Sequence, residues 1–169
     1  MSTTEKASGG IFAPENEERR GEVIAMLEQA YWMEIETVMS YIANSVNPDG
    51  VRAQEIVEAL RGDIVEELAH AQQFAARIKE LYGTVPGSME FTPVQSYLQP
   101  PKTATDITHV VRGVIEAERG AIEHYTAMIE ATDGVDWVTQ DMVIAILRDE
   151  QGHLRLFEGF LRELEQDGS

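Results

Sequence analysis

Two short stretches, Glu67-Leu68-Ala69-His70 and Glu150-Gln151-Gly152-His153, repeat one pattern 83 positions apart: a histidine three residues after a glutamate. On an α-helix, residues i and i+3 share a face, so this spacing brings a carboxylate and an imidazole to one side, where both can reach one cation. Two such helices facing each other can hold two cations. The residues around each motif recur at helical spacing. Ile56, Leu60, Glu67, His70, Ala71, Phe74, Ile78 and Leu81 form one series, with Asp63 or Ile64 at the intervening turn; Val143, Ile146, Glu150, His153, Phe157, Phe160 and Leu164 form the other. Both motifs therefore lie on apolar faces.

The same periodicity marks two further helices. From about Asn16, Ile24, Leu27, Tyr31, Glu34, Val38, Tyr41 and Ser45 alternate steps of three and four, placing Glu34 inside an apolar stripe; Asn47-Pro48-Asp49-Gly50 is the stop. The first motif's helix should run from about Val51 to Tyr82, with Gly83 as terminator. Thr105 or Asp106 can cap a third helix with the stripe Val111, Val114, Ile115, Glu118, Ala121, Ile122, Tyr125 and Ile129, and Asp136 can start the fourth. Between the second and third helices, residues 84–104 hold four prolines and no helical period. Extended, such a segment reaches about 65–70 Å, more than the ~45 Å of a 30-residue helix. It can cross the whole bundle and leave its flanking helices parallel. The small, polar residues 1–15 read as a flexible N-terminal arm and 16–169 as one helical domain. Glu36, two positions from Glu34, projects to another side and reads as a solvated charge. His109 and His124 read as solvent-exposed, and Gly152 as a close-packing position.

Composition narrows the function. The chain of 169 residues suits one domain. Its 30 acids and 13 bases give a net charge of −17, a surface that attracts cations and repels phosphate backbones, so no nucleic-acid partner is expected. The absence of cysteine excludes disulfides, thiolate metal sites and cysteine nucleophiles. No apolar run approaches a membrane span, and Met1 to Gly10 lack the features of a signal peptide, so no membrane association and a cytoplasmic location are expected.

The halves of the chain match. Tyr41 follows Glu34 by seven residues, as Tyr125 follows Glu118; Glu66 and Asp149 each directly precede a motif glutamate. Folding one helical hairpin onto its duplicate brings four glutamates and two histidines to one level of a four-helix bundle. Four adjacent buried carboxylates raise one another's pKa or disrupt the fold unless cations separate them. An oxygen-rich set with one imidazole per metal suits iron or manganese, and zinc remains open.

This ligand plan, a Glu from each of two helices and a Glu-x-x-His from each of the other two, is that of ferritin-like carboxylate proteins. The sequence resembles that superfamily over about residues 18–165, and most closely bacterioferritin and the bacterioferritin-related, Dps-like miniferritins. The run from Ile146 to His153 is very like a bacterioferritin ferroxidase motif, and Glu116-Ala117-Glu118 with Ala121-Ile122 looks like the third helix of the Dps-like branch. The resemblance implies an all-α, ferritin-like antiparallel four-helix bundle with a long crossover between its second and third helices. It implies that Glu34 and His70 bind one metal, that Glu118 and His153 bind the other, and that Glu67 and Glu150 bridge them. Glu66 and Asp149 would accept the remaining ring N–H of the opposite histidine, and Tyr41 and Tyr125 would flank the site as hydrogen-bond partners or electron donors.

The implied activity is a ferroxidase that oxidises two Fe²⁺ ions per subunit with O₂ or H₂O₂, serving iron storage and detoxification, with Mn or Zn as possible substitutes. Leu68 stands where bacterioferritin has its haem-binding methionine, so no haem is expected. No rubredoxin-like cysteine module is present, and no fifth helix follows the fourth. The second point favours a homo-oligomeric shell of 12 subunits over one of 24. Two other readings fit the residues: a small di-iron or di-manganese oxygenase or peroxidase that forms no shell, and a metal-free structural bundle.

Overall fold

The computed structural model describes residues 9–167. Four helices dominate it: α1 (Glu17–Val46), α2 (Gln54–Glu80), α3 (Ile107–Thr132) and α4 (Trp137–Asp167). Glu17 and Glu18 occupy the first turn of α1, where negative charge favours the helix dipole. Asp106 caps α3 by accepting the His109 N–H at 3.1 Å. Asp136 does the same for α4 through the Thr139 N–H at 3.0 Å, and it also takes the Arg77 guanidinium at 2.7 Å, tying the end of α2 to the start of α4.

Helix α2 ends by a route that differs from expectation. The left-handed position falls on Tyr82, with φ 70°, and Gly83 lies one residue beyond, donating its N–H to Ile78 O at 2.9 Å. A Cβ on Gly83 would come 2.8 Å from Ile78 Cγ2, so glycine serves here for close approach.

Helix directions follow from two contacts between α1 and the second half. Arg19, near the start of α1, bonds Ala131 O at the end of α3 at 2.9 and 2.7 Å. At the other end, the Asp49 N–H meets Ala104 O at 2.9 Å. Thus α1 opposes α3, each hairpin is antiparallel, and α2 runs parallel to α3, as the long crossover requires. That crossover is held against α1. Glu36 accepts the Val94 and Gln95 N–H groups, Asn44 donates to Leu98 O at 2.8 Å, and Gly113 on α3 admits Tyr97 O, which a Cβ would approach to 2.7 Å.

Two sequence expectations are corrected here. Glu36 is only 3% exposed, because backbone N–H groups arriving from the crossover need an acceptor on that side of α1. Ile11 and Ala13 are buried, and 3₁₀ turns span Gly10–Phe12 and Pro14–Asn16, so packed structure begins earlier than the expected arm of residues 1–15 allows. The first eight residues lie outside those described.

The core is two apolar slabs. One gathers Leu27, Phe74, Ile78, Tyr125, Met128 and Ile146; the other gathers Tyr41, Leu60, Val111, Val114, Ile115 and Phe157. Phe74 and Phe157 sit four residues after the two motif histidines, and Tyr125 and Tyr41 seven after the stripe glutamates, so the duplication exchanges the slabs. Between them lies a polar layer.

Candidate metal centre

Each helix contributes to that layer through its buried stripe. Glu34 from α1, Glu67 and His70 from α2, Glu118 from α3, and Glu150 and His153 from α4 are all buried, none more than 8% exposed. They form two groups of four, each able to hold a metal ion: Glu34, Glu67, His70 and Glu150 in one, Glu67, Glu118, Glu150 and His153 in the other. Within each group, one ligand atom per residue lies within 4.8 Å of every other. Glu67 and Glu150 belong to both.

The donor atoms face inward. His70 Nδ1 lies 3.1 Å from Glu150 Oε1, 3.2 Å from Glu67 Oε2 and 3.8 Å from Glu34 Oε1. His153 Nδ1 lies 3.4 Å from Glu67 Oε1, 3.6 Å from Glu150 Oε2 and 3.9 Å from Glu118 Oε2. The outer ring nitrogens are held from the opposite half: His153 Nε2 by Glu66 at 3.0 Å and His70 Nε2 by Asp149 at 3.3 Å. Such contacts fix ring orientation and leave Nδ1 as the ligating atom. The stripe glutamates are also cross-held, for Tyr41 OH donates to Glu118 Oε1 at 2.6 Å and Tyr125 OH donates to Glu34 Oε1.

Divalent cations fit this donor set. Glu118 Oε2 is buried with no hydrogen-bond partner, and Glu67 Oε1, Glu150 Oε1 and His153 Nδ1 have no partner outside the ligand layer itself, where unsatisfied polar atoms cost about 1–3 kcal/mol each. All four atoms belong to the shared ligand groups. With no metal, protons take over the charge balance. Burial and the charges of Glu67 and Glu150 push Glu34 well above the usual carboxylate range; burial and the same kind of repulsion, from Glu150 first, push Glu118 up. Burial disfavours the charged imidazoles, but hydrogen bonds to Glu150 and Glu67 outweigh it, raising His70 to about 10 and His153 to about 12. Burial likewise opposes ionised Glu150, yet bonds from His153 and His70 hold it down at about 2. A protonated imidazole on each side balances the carboxylates as a cation would, and a metal taking Nδ1 would displace that proton.

Sequence reasoning left one member unassigned. Asp63, on α2 one turn before Glu67, is buried, with Oδ1 3.7 Å from His153 Nε2 and Oδ2 unpartnered. Its place on the stripe was the available signal, and the alternative Ile64 kept it open. Two other assignments change. His124 is half-buried and its Nε2–H donates to Met26 O at 2.9 Å, while His109 is exposed as expected. Gly152 is exposed, with nothing within 4 Å of where a Cβ would stand, so close packing does not account for it.

An antiparallel bundle that buries two carboxylate–histidine ligand groups on a shared pair of glutamates defines a class, the dinuclear carboxylate bundles. The family model for the ferritin-like domain matches residues 24–167, and the chain belongs to the ferritin-like family. It is similar to the bacterioferritin of Desulfovibrio desulfuricans, 27% identical over 148 residues that cover 87% of this chain and 78% of that protein. It is likewise similar to the DNA protection during starvation protein of Pyrococcus furiosus, 31% identical over 144 residues, covering 82% and 76%. Among solved structures, a dodecameric thioferritin, the bacterioferritin-related protein of Bacteroides fragilis, superposes with a TM-score of 0.77 at 22% identity, covering 88% of this chain and 89% of that one. Among the described residues, no helix is long and apolar enough to cross a membrane.

Proposed function

We propose that the protein is a ferroxidase: it takes two Fe²⁺ ions per chain as substrate and oxidises them with O₂ or hydrogen peroxide, each iron giving one electron and the oxidant accepting two. The observation that carries this reading is the sharing of Glu67 and Glu150 between two buried ligand groups, because a pair of metals on common carboxylates suits a two-electron oxidant. In this reading Glu34 and His70 hold one iron, Glu118 and His153 the other, and Glu67 and Glu150 bridge. Glu66 and Asp149 keep the imidazoles in the tautomer that presents Nδ1. Tyr41 and Tyr125 hold the terminal carboxylates in place by hydrogen bonds. Manganese and zinc satisfy the same donors, but zinc cannot supply the electrons.

The relatives support a protective or storage role. The Pyrococcus protein is named for DNA protection; with a net charge of −17, this chain would protect by removing Fe²⁺ and peroxide rather than by coating DNA. The dodecameric relative favours a homo-oligomeric shell of twelve over one of 24. Leu68 offers no iron-binding atom where a haem ligand would stand.

The test joins stoichiometry to size. Metal-free protein is titrated with Fe²⁺ anaerobically, oxidant is admitted, and assembly mass and ferric product are measured on the same sample. Two irons per chain, rapid oxidation and a large assembly that retains ferric iron are expected. A monomer or dimer that binds two irons but retains no ferric product would place the protein with small di-iron oxygenases. Absence of metal binding would leave only a structural bundle.

A further inference from the structure

On α4, one stripe follows a strict order: Arg148, Gly152, Arg155, Gly159 and Arg162, in steps of four and three that keep all five on one face. The three arginines are exposed, and among the described residues none of them makes a hydrogen bond or an ion pair. With 30 acids to 13 bases, carboxylates are in surplus, so these cations lack a partner because of where they stand.

The arrangement tightens at Gly159. A Cβ there would lie 3.8 Å from Arg155 Nη1 and 3.9 Å from Arg162 Nη2, so guanidiniums from the turns on either side lean over one bare patch of helix. Like charges repel at that range, and arginine cannot shed its charge to relieve it. The glycine is costly as well, since the middle of a helix favours alanine. An anion over Gly159 would remove the repulsion and use the space a side chain would fill. At Gly152, by contrast, nothing comes within 4 Å of the Cβ position, so Arg148 and Arg155 do not converge there.

Nearby acids do not serve as that anion. Arg162 borders the groove between α3 and α4, whose acids are Glu116, Glu158 and Glu165. Arg119 takes Glu158 at 3.0 Å and Arg112 takes Glu165 at 3.2 Å. Glu163, directly after Arg162, is exposed and forms no ion pair with Arg155 or Arg162. These carboxylates would repel an extended polyanion, so a small ion is the better fit. Guanidinium forks match the oxygens of a tetrahedral oxyanion.

We propose that Arg155 and Arg162 bind a doubly charged tetrahedral oxyanion over Gly159, with inorganic phosphate as its probe. The site uses no metal ligand and stands independently of the ferroxidase reading. Its test is equilibrium dialysis of radiolabelled phosphate against full-length, metal-free protein at about 0.15 M sodium chloride, with helix content checked by circular dichroism. One phosphate per chain is expected. Arg155→Gln and Arg162→Gln should each weaken binding at least tenfold, whereas Arg148→Gln, which removes the same charge one step along the stripe, should bind as wild type does. Gly159→Leu keeps every charge and should weaken binding as much by filling the seat, and sulfate should compete where nitrate does not. Equal losses in all three arginine variants would reveal only a diffuse positive field and overturn the proposal. Unchanged affinity in Gly159→Leu, displacement of phosphate by duplex DNA, or no saturable binding would each overturn it too.

Discussion

The two halves of the metal layer are alike in their ligands and unlike in what surrounds them. Asp63 in α2 and Ile146 in α4 occupy the same register, each four residues before a shared glutamate. Ile146 is buried in an apolar slab; Asp63 is a buried carboxylate beside His153 with one oxygen unpartnered. The partners of the two imidazoles differ as well, Glu66 at 3.0 Å for His153 and Asp149 at 3.3 Å for His70. The repeat carries the same donors in both halves while the flanks differ, so the two ligand groups are chemically unequal.

The largest expected effects come from removing one half's imidazole. His70→Ala and His153→Ala should each reduce anaerobic Fe²⁺ binding from two per chain to one, and stopped-flow absorbance should show iron oxidation slowed by roughly a hundredfold or more, since two-metal chemistry needs both positions. Next, Glu66→Gln and Asp149→Asn should weaken metal binding by about 10–100-fold, the usual cost of losing a partner of a ligating histidine. The shorter Glu66 contact predicts the larger loss, and equal losses would show the halves to be equivalent after all.

Making the flanks alike is the third test. Asp63→Leu should stabilise the metal-free protein by about 1–3 kcal/mol, because an unsatisfied buried carboxylate is replaced by an apolar group. Denaturant unfolding measures this, and Ile146→Asp should move stability the other way. The change also has a pH signature. Burial and the neighbouring glutamates, partly offset by His153, raise Asp63 from 3.8 to about 6. Between those values the folded state holds a proton that the unfolded state has lost, so this group's contribution is full below about 4 and disappears as pH rises through about 6. Wild-type stability should carry that loss and Asp63→Leu should lack it. The smallest effect is Gly152→Ala, which matches Ala69 in the other half. With open space around the Cβ, it should add up to about 1 kcal/mol and leave metal binding unchanged.

What the sequence revealed was what repeats locally. Helical spacing placed Glu34, Glu67, His70, Glu118, Glu150 and His153 on buried stripes, and the structure brings all six to one level. The bounds of α1, a cap for α3 at Thr105 or Asp106 and the crossover were equally legible, because each depends on neighbours in the chain. Glu36 was not, since its acceptor role depends on N–H groups 58 and 59 residues away. Asp63 was half legible: the stripe pointed to it or to Ile64, and only the approach of α4 brings His153 beside it. Tyr82 takes the left-handed position that glycine usually fills, and the glycine stands one residue on, at Gly83, where the chain passes Ile78 and Ile24 too closely for a Cβ. Gly152 misled because a mid-helix glycine was read as a contact, when no neighbour approaches it.

If Glu67 and Glu150 serve both ligand groups, neither half should hold its metal independently. Anaerobic Fe²⁺ titration of Glu67→Ala tests it most directly, with folding checked by circular dichroism. Loss of binding at both positions, so that tight binding falls from two irons per chain to none, is the predicted result. One tightly bound iron retained per chain would contradict the shared centre and leave two separate half-sites in its place.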